Sequence, residues 1–120
     1  MPGFQDLDVW KKSHELTLEI YKVTNEFPKD EKYRLGDQLR RSASSVPANI
    51  AEGKGRSSQK EFIRFLNMAR GSIEETKYHL LLAHDLDYLS EKQYETFWKK
   101  ARAVGKMLNG LINRINEDSN

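Results

Sequence analysis

The side chains best suited to binding another molecule are the arginines and lysines between residues 32 and 64. This stretch holds eight basic and three acidic residues, a net charge of +5 in a chain whose total is +2. Guanidinium groups make planar, multi-donor contacts to phosphates or carboxylates, so the stretch favours a polyanionic partner. The candidate contacts to nucleic-acid phosphates are Arg34, Arg40, Arg41, Lys54 and Arg56. The alternative is that the same arginines form salt bridges between subunits, with Glu52 as a partner.

A basic segment with two glycines, residues 53–58, precedes the start of a helix. It lacks the G-x-x-x-x-G-K-[ST] spacing and the preceding strand of a nucleotide-binding loop. Exposed amides at a helix start, together with Lys54 and Arg56, could instead hold one backbone phosphate. The neighbouring Phe62 and Phe65 have core spacing, so we expect binding through phosphates, with a strong dependence on salt, rather than through base stacking.

The residues that could support catalysis or metal binding are few. Glu75 and His79 are four residues apart, so both project from one flank of a helix and could form an ion pair or half of a metal site. Di-iron bundles use Glu-x-x-His on each of two helices, and that spacing is missing here. The chain also has no cysteine and no G-x-S-x-G motif. We therefore expect no enzyme activity, no metal, no cofactor and no small-molecule substrate.

Four amphipathic segments must position these residues, at about 6–27, 31–54, 58–89 and 91–116. Their apolar residues recur every three or four positions, the period of a helix with one buried face. The loops between them are short, which makes neighbouring helices antiparallel. The sequence predicts one all-α domain over residues 1–120, an up-down-up-down antiparallel four-helix bundle.

The second segment contains Pro47 within an apolar stripe that continues on both sides of it. A proline inside a helix removes one backbone hydrogen bond, here leaving the carbonyl of Ala43 without its partner, and bends the helix. We expect one helix kinked at Pro47, with the hydroxyls of Ser44 and Ser45 easing the defect. The alternative is a helix that ends near Ser45 and restarts at Pro47.

Helix starts are marked by side chains that can cap them. Asp6 and Asp30 are candidate caps for the first two helices. Residues 58–61 and 90–93, Ser-Gln-Lys-Glu and Ser-Glu-Lys-Gln, fit the capping-box pattern that opens the third and fourth helices.

The third helix has more apolar surface than a single bundle can cover. Residues 80–83 are apolar on every side of the helix, and Leu86 extends this surface. A large exposed apolar patch usually marks a contact surface. We therefore predict a homo-oligomer with Leu81, Leu82 and Leu86 at the interface.

Composition sets the remaining expectations. No stretch approaches the ~18 apolar residues of a membrane span, and no secretion signal is visible at the N-terminus. The lack of cysteine excludes disulfides and suits a reducing compartment. We expect a cytoplasmic protein that does not enter a membrane.

Three stretches of the chain resemble a known family: Phe4-x-x-Leu7-x-Val9-Trp10, Ser45-Val46-Pro47-Ala48-Asn49-Ile50-Ala51-Glu52-Gly53, and Ala69-x-Gly71-Ser72-x-x-Glu75. They are similar to the four-helix-bundle proteins encoded in intervening sequences of 23S rRNA genes. The resemblance implies a bacterial, cytoplasmic homopentamer with a possible RNA or ribosome partner. It also implies structural or interface roles for Asn49, Glu52, Gly53 and Glu75. The first hypothesis is an oligomeric bundle that binds structured RNA, and the alternative is an assembly module without nucleic-acid binding.

Overall fold

The computed structural model describes residues 3–118, and all regular structure within that range is helical. A 3₁₀ turn at Phe4–Asp6 precedes the helices. The helices are α1 (Asp8–Thr24), α2 (Lys29–Lys32), α3 (Leu35–Lys54), α4 (Gln59–Asp85) and α5 (Glu91–Asp118). Residues 1–2 and 119–120 of the predicted domain lie outside the described residues.

The four long helices form an antiparallel bundle in the order α1, α3, α4, α5, with α5 returning to α1. Thr17 of α1 bonds to Ala43 of α3, Ser42 of α3 lies opposite Thr76 of α4, and Glu19 of α1 pairs with Lys100 of α5. The particle measures 48 × 20 × 20 Å. This confirms the predicted fold. None of the helices within residues 3–118 has the length and apolar character that a membrane span requires.

The core is one continuous apolar cluster along the bundle axis. Each long helix contributes residues at the predicted three-and-four spacing. The large side chains that are almost completely buried include Leu16, Ile20, Leu39, Ile50, Leu66, Ile73, Leu80 and Leu108. Hydrophobic burial on this stripe, rather than helix propensity, is the main reason the helices are stable.

The predicted second helix begins later than expected. The chain forms the short helix α2 and then leaves helical geometry at Arg34, whose φ and ψ are −117° and −90°. Asp30 lies in the first turn of α2, which begins after Pro28, so it is not the cap of α3. The carbonyl of Lys32 accepts a bond from Arg40 at 2.7 Å, which satisfies the end of α2 without helical continuation.

α3 continues through Pro47 as one helix, as predicted, but the partner of the freed carbonyl was predicted wrongly. The hydroxyl of Ser44 bonds to Arg41 of its own helix, and that of Ser45 to Ser72 of α4. The oxygen of Ala43 instead lies 3.1 Å from the hydroxyl of Thr17 on α1. A contact between two helices therefore compensates for the proline.

The helix ends follow the predicted capping chemistry in part. Ser90 and Gln93 form a complete capping box, with bonds of 2.9 and 3.1 Å. Ser58 accepts the amide of Glu61 at 3.1 Å, but the Glu61 carboxylate bonds to Arg64. Asp6 lies in the 3₁₀ turn, and α1 begins two residues later with Leu7 as its N-cap. The prediction that Asp6 caps the first helix was therefore wrong.

The end of α4 lies at Asp85, four residues before the predicted end. Asp87 has a left-handed φ of 65°, the amide of Tyr88 bonds to Ala83, and that of Asp87 bonds to His84. These two bonds form a Schellman motif, which satisfies the last carbonyls of the helix.

Candidate nucleic-acid interface

The five predicted phosphate contacts do not form one cluster. Arg34 precedes α3 and Lys54 is its last residue, so the 20 residues of the helix separate them by about 30 Å. Arg34, Arg41, Lys54 and Arg56 are exposed. A single ligand site therefore cannot include all five.

Arg40 is an internal structural residue. Its side chain is only 15% exposed. The guanidinium donates to the hydroxyl of Thr24 at 2.9 Å, to the carbonyl of Lys32 at 2.7 Å, and to the carboxylate of Asp37. These bonds tie α3 to α1 and to α2, so Arg40 has little capacity left for an external phosphate.

A group of basic side chains surrounds the connection between α3 and α4. We call it the basic turn, and its members are Lys54, Arg56, Lys60 and Arg64. The guanidinium carbons of Arg56 and Arg64 each lie 4.7 Å from the centre of the Phe65 ring. Because that ring is buried, it holds both cations at the surface.

Two carboxylates pair with the arginines of the basic turn. Glu52 accepts from Arg56 at 3.2 Å, and Glu61 accepts from Arg64 at 2.9 Å. The bond from Arg64 lowers the pKa of the Glu61 carboxyl, and the bond to Glu61 raises the pKa of Arg64. Each guanidinium has five N–H donors, so donors remain available to a phosphate.

Lys60 and Arg64 were not among the predicted site residues. They are four residues apart at the start of α4, so they share one flank of the helix that follows the basic segment. That spacing was present in the sequence and could have identified them.

Gly53 has a packing role within the chain. A Cβ at this position would lie 2.6 Å from the Cβ of Phe65 and 3.0 Å from the ring of Phe62. Only glycine allows α3 and α4 to approach this closely, and the approach places Arg56 beside the Phe65 ring.

Polar side chains connect α3 to α4 on the N-terminal side of Gly53 in α3. The hydroxyls of Ser45 and Ser72 are 2.9 Å apart, and Asn49 donates to Ser45 within α3. The hydroxyl of Thr76 donates to that of Ser42 at 2.9 Å. Asn49, which the resemblance placed at a structural or interface position, thus has partners in its own chain.

Glu75 and His79 are within hydrogen-bond distance, as their spacing of four residues predicts. Glu75 Oε2 is 3.1 Å from His79 Nε2. His79 is buried, with 8% of its surface exposed. Within residues 3–118 no three His, Asp or Glu side chains come together as a metal site would require.

Some apolar side chains near the C-terminal end of α4 are only partly covered. Tyr78, Leu81 and Leu86 are exposed, whereas Leu82 is half-buried and packs against the core. We call these four residues the leucine end of α4. Their spacing of three and four places them on the outward half of one helix.

Comparison with known proteins identifies the family. The model of the 23S rRNA-intervening sequence protein family matches residues 5–110. A crystal structure from Bacteroides thetaiotaomicron, described as a protein of unknown function from the S23 ribosomal protein family, superimposes with a TM-score of 0.82. It is 30% identical, and the match covers 88% of this chain and 95% of that one. A search of curated proteins gave no match. The chain therefore belongs to the 23S rRNA-intervening sequence protein family.

Proposed function

We propose that this protein is a non-enzymatic, homo-oligomeric bundle that binds structured RNA through phosphate contacts at the basic turn. The observation that carries the proposal is the pair of guanidinium groups held on the Phe65 ring, beside Lys54 and Lys60. The family description refers to 23S rRNA, and that of the structural neighbour to a ribosomal protein family. Both are consistent with an RNA partner in the cytoplasm.

The arrangement suits phosphates better than bases. Phe65 is buried and Phe62 is half-buried, so neither offers an open face for stacking. Arginines held in place by an aromatic ring lose less side-chain entropy when they bind, and they present planar donors to phosphate oxygens. The α4 helix also begins here at Gln59, and its first amides favour an anion.

The proposal is tested by the salt dependence of RNA binding. We would titrate a labelled 23S rRNA hairpin with wild-type protein and with Lys60→Ala/Arg64→Ala, using fluorescence anisotropy at several salt concentrations. The variant should bind more weakly. The slope of log K against log salt concentration should fall in magnitude by about two, because two phosphate contacts are lost. A matched control, Lys11→Ala/Lys12→Ala, removes the same charge from the exposed surface of α1. Equal losses in both variants would contradict a site at the basic turn.

A second candidate function is an assembly module without nucleic-acid binding. The pairs that Arg56 and Arg64 already form with Glu52 and Glu61 favour it, because such carboxylates compete with phosphates. Under this reading the wild type would bind the hairpin no better than the Lys60→Ala/Arg64→Ala variant at any salt concentration. The mass of the particle in solution would still exceed that of one chain.

A further inference from the structure

A second basic surface lies in the groove between α4 and α5, further along α4 than the basic turn. The groove has a volume of about 580 Å³, and its lining includes Arg70, Lys77, Arg102 and Lys106, with Gly71 and Gly105 between them. One carboxylate, Glu74, also lines it, so its side chains carry a net charge of +3. The basic residues of α4 are seven positions apart, so the groove gathers four cations within about 10 Å along the helix axis.

The two glycines keep this groove open, and packing does not require them. A Cβ at Gly71 would have no heavy atom within 4 Å, and one at Gly105 would be 3.8 Å from Ile73, an ordinary contact. Glycine inside a helix is less stable than alanine because it loses more backbone freedom on folding. Each glycine therefore weakens its own helix, and the lack of a side chain at both positions leaves the groove unfilled.

The cations of the groove are mostly free to face a ligand. Lys77 is the exception, because it pairs with Glu74 at 3.1 Å and lies 5.1 Å from the Trp98 ring. Arg70, Arg102 and Lys106 are exposed. Like charges gathered in a concave surface repel one another, and a bound polyanion relieves that repulsion.

The groove continues from the basic turn along α4. Lys60, Arg64, Asn67, Arg70 and Glu74 are spaced by three or four residues, so they follow one face of the helix. A strand that contacts Lys60 and Arg64 would thus reach the groove without leaving that face. The side-chain amides of Asn67 and Asn109, at the end of the groove nearer the basic turn, can bond to phosphate or ribose hydroxyl groups.

We propose that the α4–α5 groove is a second phosphate-binding site, which holds closely spaced phosphates of the RNA strand. The proposal rests on the RNA-binding function proposed above, and it adds the path that the strand takes. A side chain at Gly71 or Gly105 would occupy the space of the phosphates, which gives a role to two glycines that helix packing does not require.

The groove is tested by filling it. Gly71→Leu places a side chain in the groove, whereas Gly110→Leu makes the same change in α5 at an exposed glycine that lines a different depression. Both variants should retain helical circular dichroism. We expect Gly71→Leu to weaken binding of the 23S rRNA hairpin about tenfold, and Gly110→Leu to bind like wild type. Equal binding by all three proteins would overturn the proposal.

A second variant tests the charge of the groove without adding volume. Arg102→Ala/Lys106→Ala should lower the salt slope of hairpin binding by about two, as the Lys60→Ala/Arg64→Ala variant does. If only the basic-turn variant loses binding, the groove is not a site and the proposed function stands. If the wild type shows no salt-dependent binding, both proposals fail.

Amide spectra distinguish an RNA strand from a free phosphate compound. Glycine amides are easily recognised in ¹H–¹⁵N spectra, so Gly71 and Gly105 report on the groove. We expect the hairpin to shift both signals. Shifts with tripolyphosphate alone, and none with the hairpin, would overturn the proposal in favour of a small polyphosphate ligand.

Discussion

Arg40 and Arg41 are adjacent in the chain but have different environments. Arg40 bonds to acceptors on α1 and at the end of α2, whereas Arg41 is exposed. The sequence predicts both as phosphate contacts because it shows charge but not the direction in which a side chain points. Helical geometry turns neighbouring side chains about 100° apart, so one faces α1 while the other faces outward.

Substitution should separate these two roles. Arg40→Ala removes charge-assisted bonds and leaves buried acceptors unpaired, so it should lower the free energy of unfolding by about 2–3 kcal/mol. Arg41→Ala should change it by no more than about 0.5 kcal/mol. Urea unfolding followed by circular dichroism measures both. A combined Arg40→Ala/Arg41→Ala variant would confuse loss of fold with loss of binding.

His79 contains a buried atom without a partner. A carboxylate can only accept, so the Nε2 that faces Glu75 carries the proton, and Nδ1 has no hydrogen-bond partner among the described residues. His79→Leu removes this unpaired buried polar atom, and we expect it to raise the free energy of unfolding by about 1 kcal/mol. A loss of stability in urea unfolding would contradict this account.

At the scale of the elements, a hydroxyl of α1 compensates for the proline inside α3. Thr17 on α1 lies 3.1 Å from the Ala43 carbonyl, which Pro47 deprives of its helical partner, and 2.8 Å from the Ser13 carbonyl. One hydroxyl proton is shared between the two acceptors. The proline is therefore compatible with a continuous helix because a neighbouring helix supplies a donor.

A double-mutant cycle tests this compensation. Thr17→Val should cost about 1–3 kcal/mol in the native background, because the Ala43 carbonyl would be buried without a donor. In the Pro47→Ala background the helix regains its own amide donor, so the same substitution should cost much less. Equal costs in the two backgrounds, measured by urea unfolding, would contradict the proposed link.

The connection between α4 and α5 contains a charge pair that responds to pH. His84 Nε2 is 2.6 Å from Glu91, Nδ1 is 3.2 Å from Asp85, and the ring stacks on Tyr94. The bond to Glu91, more than that to Asp85, raises the pKa of His84. The pair therefore stabilises the fold fully at pH values below the unfolded-state pKa of about 6.5. The stabilisation is lost as pH rises through the raised pKa of His84 in the folded protein.

Glu91→Gln should consequently lower Tm more at about pH 5.5 than at about pH 8.5. Glu91 also lies in the first turn of α5, where a negative charge is favourable at both pH values. The His84→Gln background controls for this, since there the effect of Glu91→Gln should not depend on pH.

At the scale of the whole molecule, the leucine end of α4 remains uncovered. Tyr78 is 57% exposed and Leu86 is 46% exposed, although the same helix contributes a full stripe to the core. A bundle 20 Å across buries only the inward half of each helix. We propose that a second copy of the chain covers this surface.

Charge placed on this surface should separate the copies. We expect Leu81→Glu/Leu86→Glu to reduce the particle mass measured by light scattering after size exclusion, while Tm stays within a few degrees of wild type. Leu18→Glu is a single-site control, because Leu18 is 50% exposed but lies on α1. A monomeric wild-type protein at micromolar concentration would rule out the homo-oligomer.

Helix positions and the core were predictable from the chain because they depend on local periodicity. The apolar residues that recur every three or four positions include Val9, Leu39 and Leu108, and all three are buried. The capping box at Ser90 is likewise a short-range signal. The break after α2 and the early end of α4 were missed, because Arg40 and the left-handed Asp87 decide them through tertiary and backbone geometry.

The amino-acid sequence by itself determined the four-helix bundle, its family and the region of highest basic charge, since these follow from periodicity, motif and composition. Only the tertiary structure decided which cations reach the surface, which donor satisfies Ala43 and where α4 and α5 leave an open groove. Those features arise between residues far apart in the chain. Their physical basis is the direction in which each side chain points once the helices have packed.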